Sequence, residues 1–115
     1  MNLYSAPEVS VEALHELRTR AQPHRLLDVR EESEWRLARI DGAELLPLSR
    51  LARELEAALP ADLEKDATIV VVCHHGVRSA QVTAWMRQQG FAQVYSLDGG
   101  LEAWSQHIDP HVPRY

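Results

Sequence analysis

The run Thr68-Ile-Val-Val-Val72 is short, β-branched and unbroken. A strand buried on both faces reads this way, and such strands belong to parallel sheets. Directly after it comes Cys73-His-His-Gly-Val-Arg-Ser79. The next stretch, Ala80-Gln-Val-Thr-Ala-Trp-Met-Arg-Gln-Gln89, reads as a helix closed by Gly90. The only cysteine of the chain therefore sits at the carboxyl end of a strand, in a tight loop that feeds a helix. Ligands and nucleophiles gather at that edge of open α/β sheets. The helix N-terminus and the loop N–H groups favour an anion there, and a thiolate is one.

A cysteine behind a valine run also suits a plain core position, as a small buried hydrophobe. The loop residues favour the reactive alternative. Gly76 permits positive φ and close backbone approach. Arg78 places a fixed positive charge five residues after the sulfur, and His74 and His75 add polar groups that can take a proton. A structural core cysteine needs none of these.

The rest of the chain alternates strands with helices. Glu8-Val9 is a lead-in strand. Ser10 is placed to cap a helix over Val11–Arg18, with Val11, Leu14 and Leu17 on one face. Arg25–Val29 is a second apolar strand with Asp28 near its carboxyl end, and Glu31–Leu37 a short helix with Ser33 near its start. Asp41-Gly42 is a turn signal ahead of a short strand over Ala43–Leu46. Leu51, Leu55 and Leu59 recur every four residues, which predicts one helix over Ser49–Leu59, ended by Pro60. Val94–Leu97 is the last strand, and Gly99-Gly100 turn the chain into a helix over Leu101–Trp104. This order predicts an α/β fold: about five strands in a mainly parallel sheet, with helices packed against it.

At 115 residues the chain is expected to form one domain, 1–115, with enough core to fold without staples. One cysteine excludes an intrachain disulfide and fits a reducing compartment, so the expected location is cytoplasmic. The segment from Met1 to Val9 has no basic region and no long apolar run, so no secretory signal is expected. No run of about 20 apolar residues exists, and no membrane partner is expected. A net charge of −5, with scattered Lys and Arg, argues against a nucleic-acid partner. His107 and His111 have the spacing of a helical metal pair, but Pro110 between them breaks the helix. No metal and no cofactor are expected.

Four residues separate Cys73 from Arg78. Loops that wrap a phosphoryl group in thiol phosphatases have five. The shorter loop here suits a smaller group on the cysteine, and a single sulfur atom fits it. Asp28 lies at the same rim and can brace the loop, pair with Arg78, or form a surface ion pair with Arg30. Glu34 and Trp35 read as packing and solvation rather than chemistry. Gly99 and Gly100 read as a turn with close packing, and Trp85 and Trp104 as core or rim aromatics.

Four segments together resemble the rhodanese homology domain: Leu26–Trp35, Arg39–Ala43 with Pro47, Val72–Ser79 and Leu97–Trp104. They occur in that family's order and cover most of the chain. The closing Ile108–Tyr115 resembles the end of the rhodanese domain fused to ubiquitin-activating-like enzymes. The resemblance implies a rhodanese-like fold, with five parallel strands and helices on both faces. It implies a sulfurtransferase in which Cys73 is the nucleophile and carries a persulfide. A sulfane sulfur would pass from thiosulfate or a persulfide donor to cyanide, a thiol or a sulfur-carrier protein. His74, His75, Gly76, Val77, Arg78 and Ser79 would form the active-site loop, with Asp28 and Arg30 in support. The loop holds His-His where efficient thiosulfate users of the family carry extra cations, which makes thiosulfate a surrogate donor. Two alternatives stay open: a non-catalytic rhodanese-type binding module, and a thiol-dependent phosphatase or arsenate reductase.

Overall fold

The computed structural model describes residues 6–115. Met1–Ser5, the start of the segment that lacks a basic region, lie outside the described residues. Five strands form one sheet: β1 (Glu8–Val9), β2 (Arg25–Asp28), β3 (Glu44–Leu45), β4 (Thr68–Val72) and β5 (Gln93–Leu97). Their order is β1-β5-β4-β2-β3, and every pair is parallel. The helices are α1 (Val11–Thr19), α2 (Glu32–Leu37), α3 (Leu48–Glu54), α4 (Val77–Gln88) and α5 (Gly100–His107). Among the described residues no helix is long and apolar enough to cross a membrane.

The valine run takes the centre of the sheet as β4, with Ile69 to Val72 all buried. Alternate side chains of a strand point to opposite faces, and β4 divides accordingly. Ile69 and Val71 pack with Leu27, Leu51, Val82, Met86 and Val94. Val70 and Val72 pack with Val11, Leu14, Leu26, Leu97, Leu101 and Trp104 on the other face. Helices α3 and α4 thus cover one face and α1 and α5 the other, as the alternation of elements predicts. Ser10 caps α1, its Oγ accepting the Ala13 N–H at 3.0 Å.

Several boundaries differ from the sequence expectation, among them the end of α5, which runs on past Trp104 to His107. The helix predicted over Ser49–Leu59 breaks after Glu54, where Leu55 takes φ 55° and a 3-10 turn continues to Ala58. The break shifts the buried phase, so Ala58 is in the core and Leu55 is exposed. The helix expected from Glu31 begins at Glu32, with Glu31 as its N-cap, and Glu34 Oε1 accepts the Glu31 N–H at 3.1 Å. Helix α4 starts at Val77, three residues before Ala80, because the loop itself closes its first turn.

The register fixes what surrounds the cysteine. Val72, the last residue of β4, is paired with Asp28, the last residue of β2. Val71 is paired with Ser96 of β5. Cys73 therefore emerges at the carboxyl edge of the sheet between the ends of β2 and β5.

Candidate active site

The loop after β4 is held open by α5. The Leu101 N–H donates to the Cys73 carbonyl at 2.9 Å, and the Glu102 N–H donates to the His74 carbonyl at 3.1 Å. Two free donors at the N-terminus of α5 thus fix the first two loop carbonyls. With the carbonyls engaged there, backbone N–H groups turn toward the sulfur. Gly76 N–H donates to Cys73 Sγ at 3.0 Å, and Ser79 N–H donates at 3.3 Å. Gly76 is the N-cap of α4 at φ 105°, a conformation that other residues rarely adopt. No side-chain oxygen caps α4. Cys73 sulfur fills that place, taking N–H groups that a helix start otherwise leaves without a partner.

Behind the sulfur lies a small polar chain. Ser79 Oγ is 3.4 Å from Cys73 Sγ and 2.7 Å from Ser96 Oγ. All three residues are buried. Cys73 is 1% exposed, so the loop shields nearly all of it.

Asp28 and Arg30 form a buried pair beside the loop. Asp28 Oδ1 accepts the Arg30 N–H at 3.0 Å and Nε–H at 2.9 Å, and Oδ2 accepts from the Nη2 group at 2.7 Å. Arg30 Nη2 also donates to the Ala38 carbonyl at 2.6 Å, and Nη1 donates to Tyr115 Oη at 2.9 Å. Asp28 pairs neither with Arg78 nor with a loop N–H, and its pair with Arg30 is not at the surface. Both residues are at most 1% exposed. The turn from β2 into α2 folds Arg30 back over its own strand end, which brings it to Asp28 first.

Arg78 turns from α4 toward α2. Its two Nη groups donate to the two carboxylate oxygens of Glu34 at 2.6 Å and 2.9 Å, a forked pair. Tyr115 Oη donates to Glu34 Oε2 at 2.8 Å. The Arg78 bonds hold the Glu34 carboxyl down at about 2, against the opposing effect of burial, with Tyr115 and the Glu31 N–H assisting. Burial, with Glu34 beside it, pushes the Tyr115 hydroxyl up to about 12, Arg30 opposing.

The two loop histidines differ. His74 is stacked between His75 and Tyr115, with ring centroids 3.9 Å away on each side. Its Nε2 is buried without a hydrogen bond; Glu102 Oε2 is 3.6 Å away, too far for one. Burial, together with His75, pushes the His74 imidazole below its ordinary value, with Glu102 opposing. His75 and Val77 are exposed at the rim.

The structure thus gathers Cys73, Gly76 and Ser79 around one atom and sets Arg78 and His74 in an outer layer with α2 and the C-terminal segment. Sequence alone does not single out Ser96, Glu34, Tyr115 or Glu102. For Ser96 a signal exists. It shares a strand face with buried Val94, so it is a small polar residue in an apolar phase. Glu34 is a correction: it is tied to the loop's arginine and is not a solvated packing residue.

A model of the rhodanese-like domain matches residues 10–107 of this chain. The chain belongs to the rhodanese-like domain family. Its rhodanese-like domain is 38% identical over 97 residues to "Adenylyltransferase and sulfurtransferase MOCS3-2" of Zea mays, covering 82% of this chain and 20% of that protein. The chain spans about a fifth of the length of the first curated relatives it matches. It is 36% identical over 88 residues to "Thiosulfate sulfurtransferase GlpE" of Shewanella oneidensis, covering 76% of this chain and 82% of the relative. Among solved structures, the human single-domain sulfurtransferase TSTD1 superposes with a TM-score of 0.77 at 28% identity, over 90% of this chain and 98% of that one. The rhodanese-related protein of Thermoplasma volcanium gives a TM-score of 0.75 at 27% identity, over 95% and 99% of the two chains. The rhodanese-like fold implied by the sequence is the fold observed.

Proposed function

We propose that this rhodanese-like domain is a sulfurtransferase that carries a sulfane sulfur as a persulfide on Cys73. One observation carries the reading: Cys73 Sγ is the point on which the N–H groups of Gly76 and Ser79 converge. Donors aimed at a sulfur stabilise it as an anion without reorganisation during the reaction. The similarity to sulfurtransferases of one-domain length supports the same reading.

The chemistry is two displacements at sulfur. The Cys73 thiolate attacks the outer sulfur of the donor and a new S–S bond forms. The donor's own bond to that sulfur breaks, and its electron pair leaves with sulfite from thiosulfate, or with a thiolate from a persulfide. Cys73 then bears the terminal S⁻. In the second displacement an acceptor nucleophile (cyanide, a thiol or a carrier-protein thiolate) attacks that sulfur, and the electron pair returns to Cys73. Gly76 and Ser79 hold the cysteine sulfur in both states. The Ser79 hydroxyl, with Ser96 behind it, adds a buried polar contact to the same sulfur. His75 and Val77 border the approach, where a carrier protein would dock.

Mass spectrometry of protein incubated with thiosulfate or a small alkyl persulfide tests the reading. One added sulfur atom is expected on Cys73, removed by cyanide as thiocyanate. Cys73→Ser is expected to take up none while keeping its fold, because a hydroxyl of nearly equal size cannot carry sulfane sulfur. Sulfur transfer by Cys73→Ser above the uncatalysed rate would overturn the mechanism. Turnover of a phosphate ester or arsenate without persulfide formation would favour phosphatase or reductase chemistry instead, and no turnover at all would leave a binding module.

A further inference from the structure

We propose that Glu34 is a positioning residue that sets donor selectivity, holding Arg78 away from anionic donors and disfavouring thiosulfate against organic persulfides. The proposal rests on the sulfurtransferase reading. Arg78 is the one guanidinium supplied by the loop and first turn of α4, and a dianionic donor would need it. Both of its forked arms are already taken by Glu34, at 2.6 Å and 2.9 Å. The carboxylate also cancels its charge. Thiosulfate must bring two negative charges to a thiolate with no free cation from this loop to offset the repulsion, on a chain of net charge −5. An organic persulfide brings at most one.

Two further contacts and low exposure make Glu34 a fixed clamp rather than a loose surface partner. Oε1 also accepts the Glu31 N–H at 3.1 Å, which ties it to the start of α2. Oε2 also accepts from Tyr115 Oη at 2.8 Å, and Tyr115 is itself fixed by Arg30 Nη1 at 2.9 Å and by its stack on His74. The carboxylate is only 20% exposed, so water competes weakly for it. A donor that wants Arg78 must break a forked ion pair whose carboxylate is anchored on both of its oxygens.

The experiment is a rate of sulfur loading onto Cys73, followed by mass spectrometry, at increasing thiosulfate or small alkyl persulfide. It compares wild type, Glu34→Gln, Arg78→Ala and the double variant. Gln keeps the acceptor for Glu31 and loses the charge and one arm of the fork. In Glu34→Gln the thiosulfate-to-persulfide efficiency ratio is expected to rise about tenfold or more, mainly through a lower half-saturating thiosulfate concentration. The rise must vanish in the double variant, since it acts through Arg78. Glu34→Asp, which keeps the charge but reaches less far, should fall between wild type and Gln, and it serves if Gln folds poorly. A merely structural Glu34 would slow both donors alike. An unchanged or lower ratio, or a rise that persists without Arg78, overturns the proposal while leaving the sulfurtransferase reading in place. Failure of wild type to load sulfur from either donor overturns both.

Discussion

Gly100 lies so close to the cysteine loop that a Cβ there would sit 2.4 Å from the Cys73 carbonyl oxygen and 2.5 Å from that of His74. This contact is how α5 reaches the loop, since the Leu101 and Glu102 N–H groups bind those same two carbonyls. Gly100 also has φ 60°, which side-chain-bearing residues adopt at a cost. Gly100→Ala is therefore expected to destabilise the protein by about 2–5 kcal/mol, combining left-handed backbone strain with overpacking against backbone. It should also slow alkylation or sulfur loading of Cys73, because α5 can no longer hold the loop carbonyls. Urea unfolding and Cys73 loading on the same sample check both effects. Wild-type stability with wild-type loading would mean that the helix shifts at no cost and does not shape the loop.

The buried Asp28–Arg30 pair gives a second prediction. Removing one partner of a buried pair strands the other charge, a loss of about 3–5 kcal/mol. Asp28→Ala is expected to fall in that range, because Arg30 is 0% exposed and cannot reach water without unfolding its surroundings. Asp28→Asn should cost less, since Oδ1 remains to accept the Arg30 N–H and Nε–H. Denaturant midpoints with unchanged slope would measure it. A loss below about 1 kcal/mol for Asp28→Ala, the scale of an exposed pair, would show that the guanidinium finds solvent after all.

The parts of the site that were legible in the sequence are those fixed by local chain chemistry. Thr68–Val72 can only be a central strand, and Cys73 must follow it at the sheet edge. Gly76 marks a sharp turn into a helix, and Ser10 marks a helix start. The parts that were not legible depend on which distant elements meet. Glu34 is one charged residue among the four acids of Asp28–Glu34, and only the packing of α2 beside α4 selects it for Arg78. Tyr115 lies 85 residues from Arg30 and reaches it because α5 returns the chain to that edge. The Leu51, Leu55, Leu59 spacing misled for a related reason. Apolar period predicts a helix, but the core offered room for Ala58 rather than Leu55, and the chain broke its helix to change phase.

The same Glu34–Arg78 pair makes stability depend on pH with a definite sign. In the folded protein the Glu34 carboxyl is held down at about 2, chiefly by the Arg78 fork; in the unfolded chain it titrates near its ordinary value of 4.5. A group depressed on folding stabilises the protein fully above its unfolded value, and the contribution fades as pH falls toward the folded value. The loss should therefore spread between about pH 5 and pH 2, with no effect near neutrality. Partial exposure of both partners reduces the gain from its limit to about 1–2 kcal/mol. Glu34→Gln cannot titrate there, so the stability gap between wild type and this variant is expected to narrow on acidification by that amount. Urea midpoints for both proteins at neutral pH and at about pH 3 measure the gap directly. Other carboxylates titrate equally in both proteins and cancel in the comparison. A gap that stays constant across the range would mean that Glu34 ionises as it does in the unfolded chain, and that the fork to Arg78 is not held in solution.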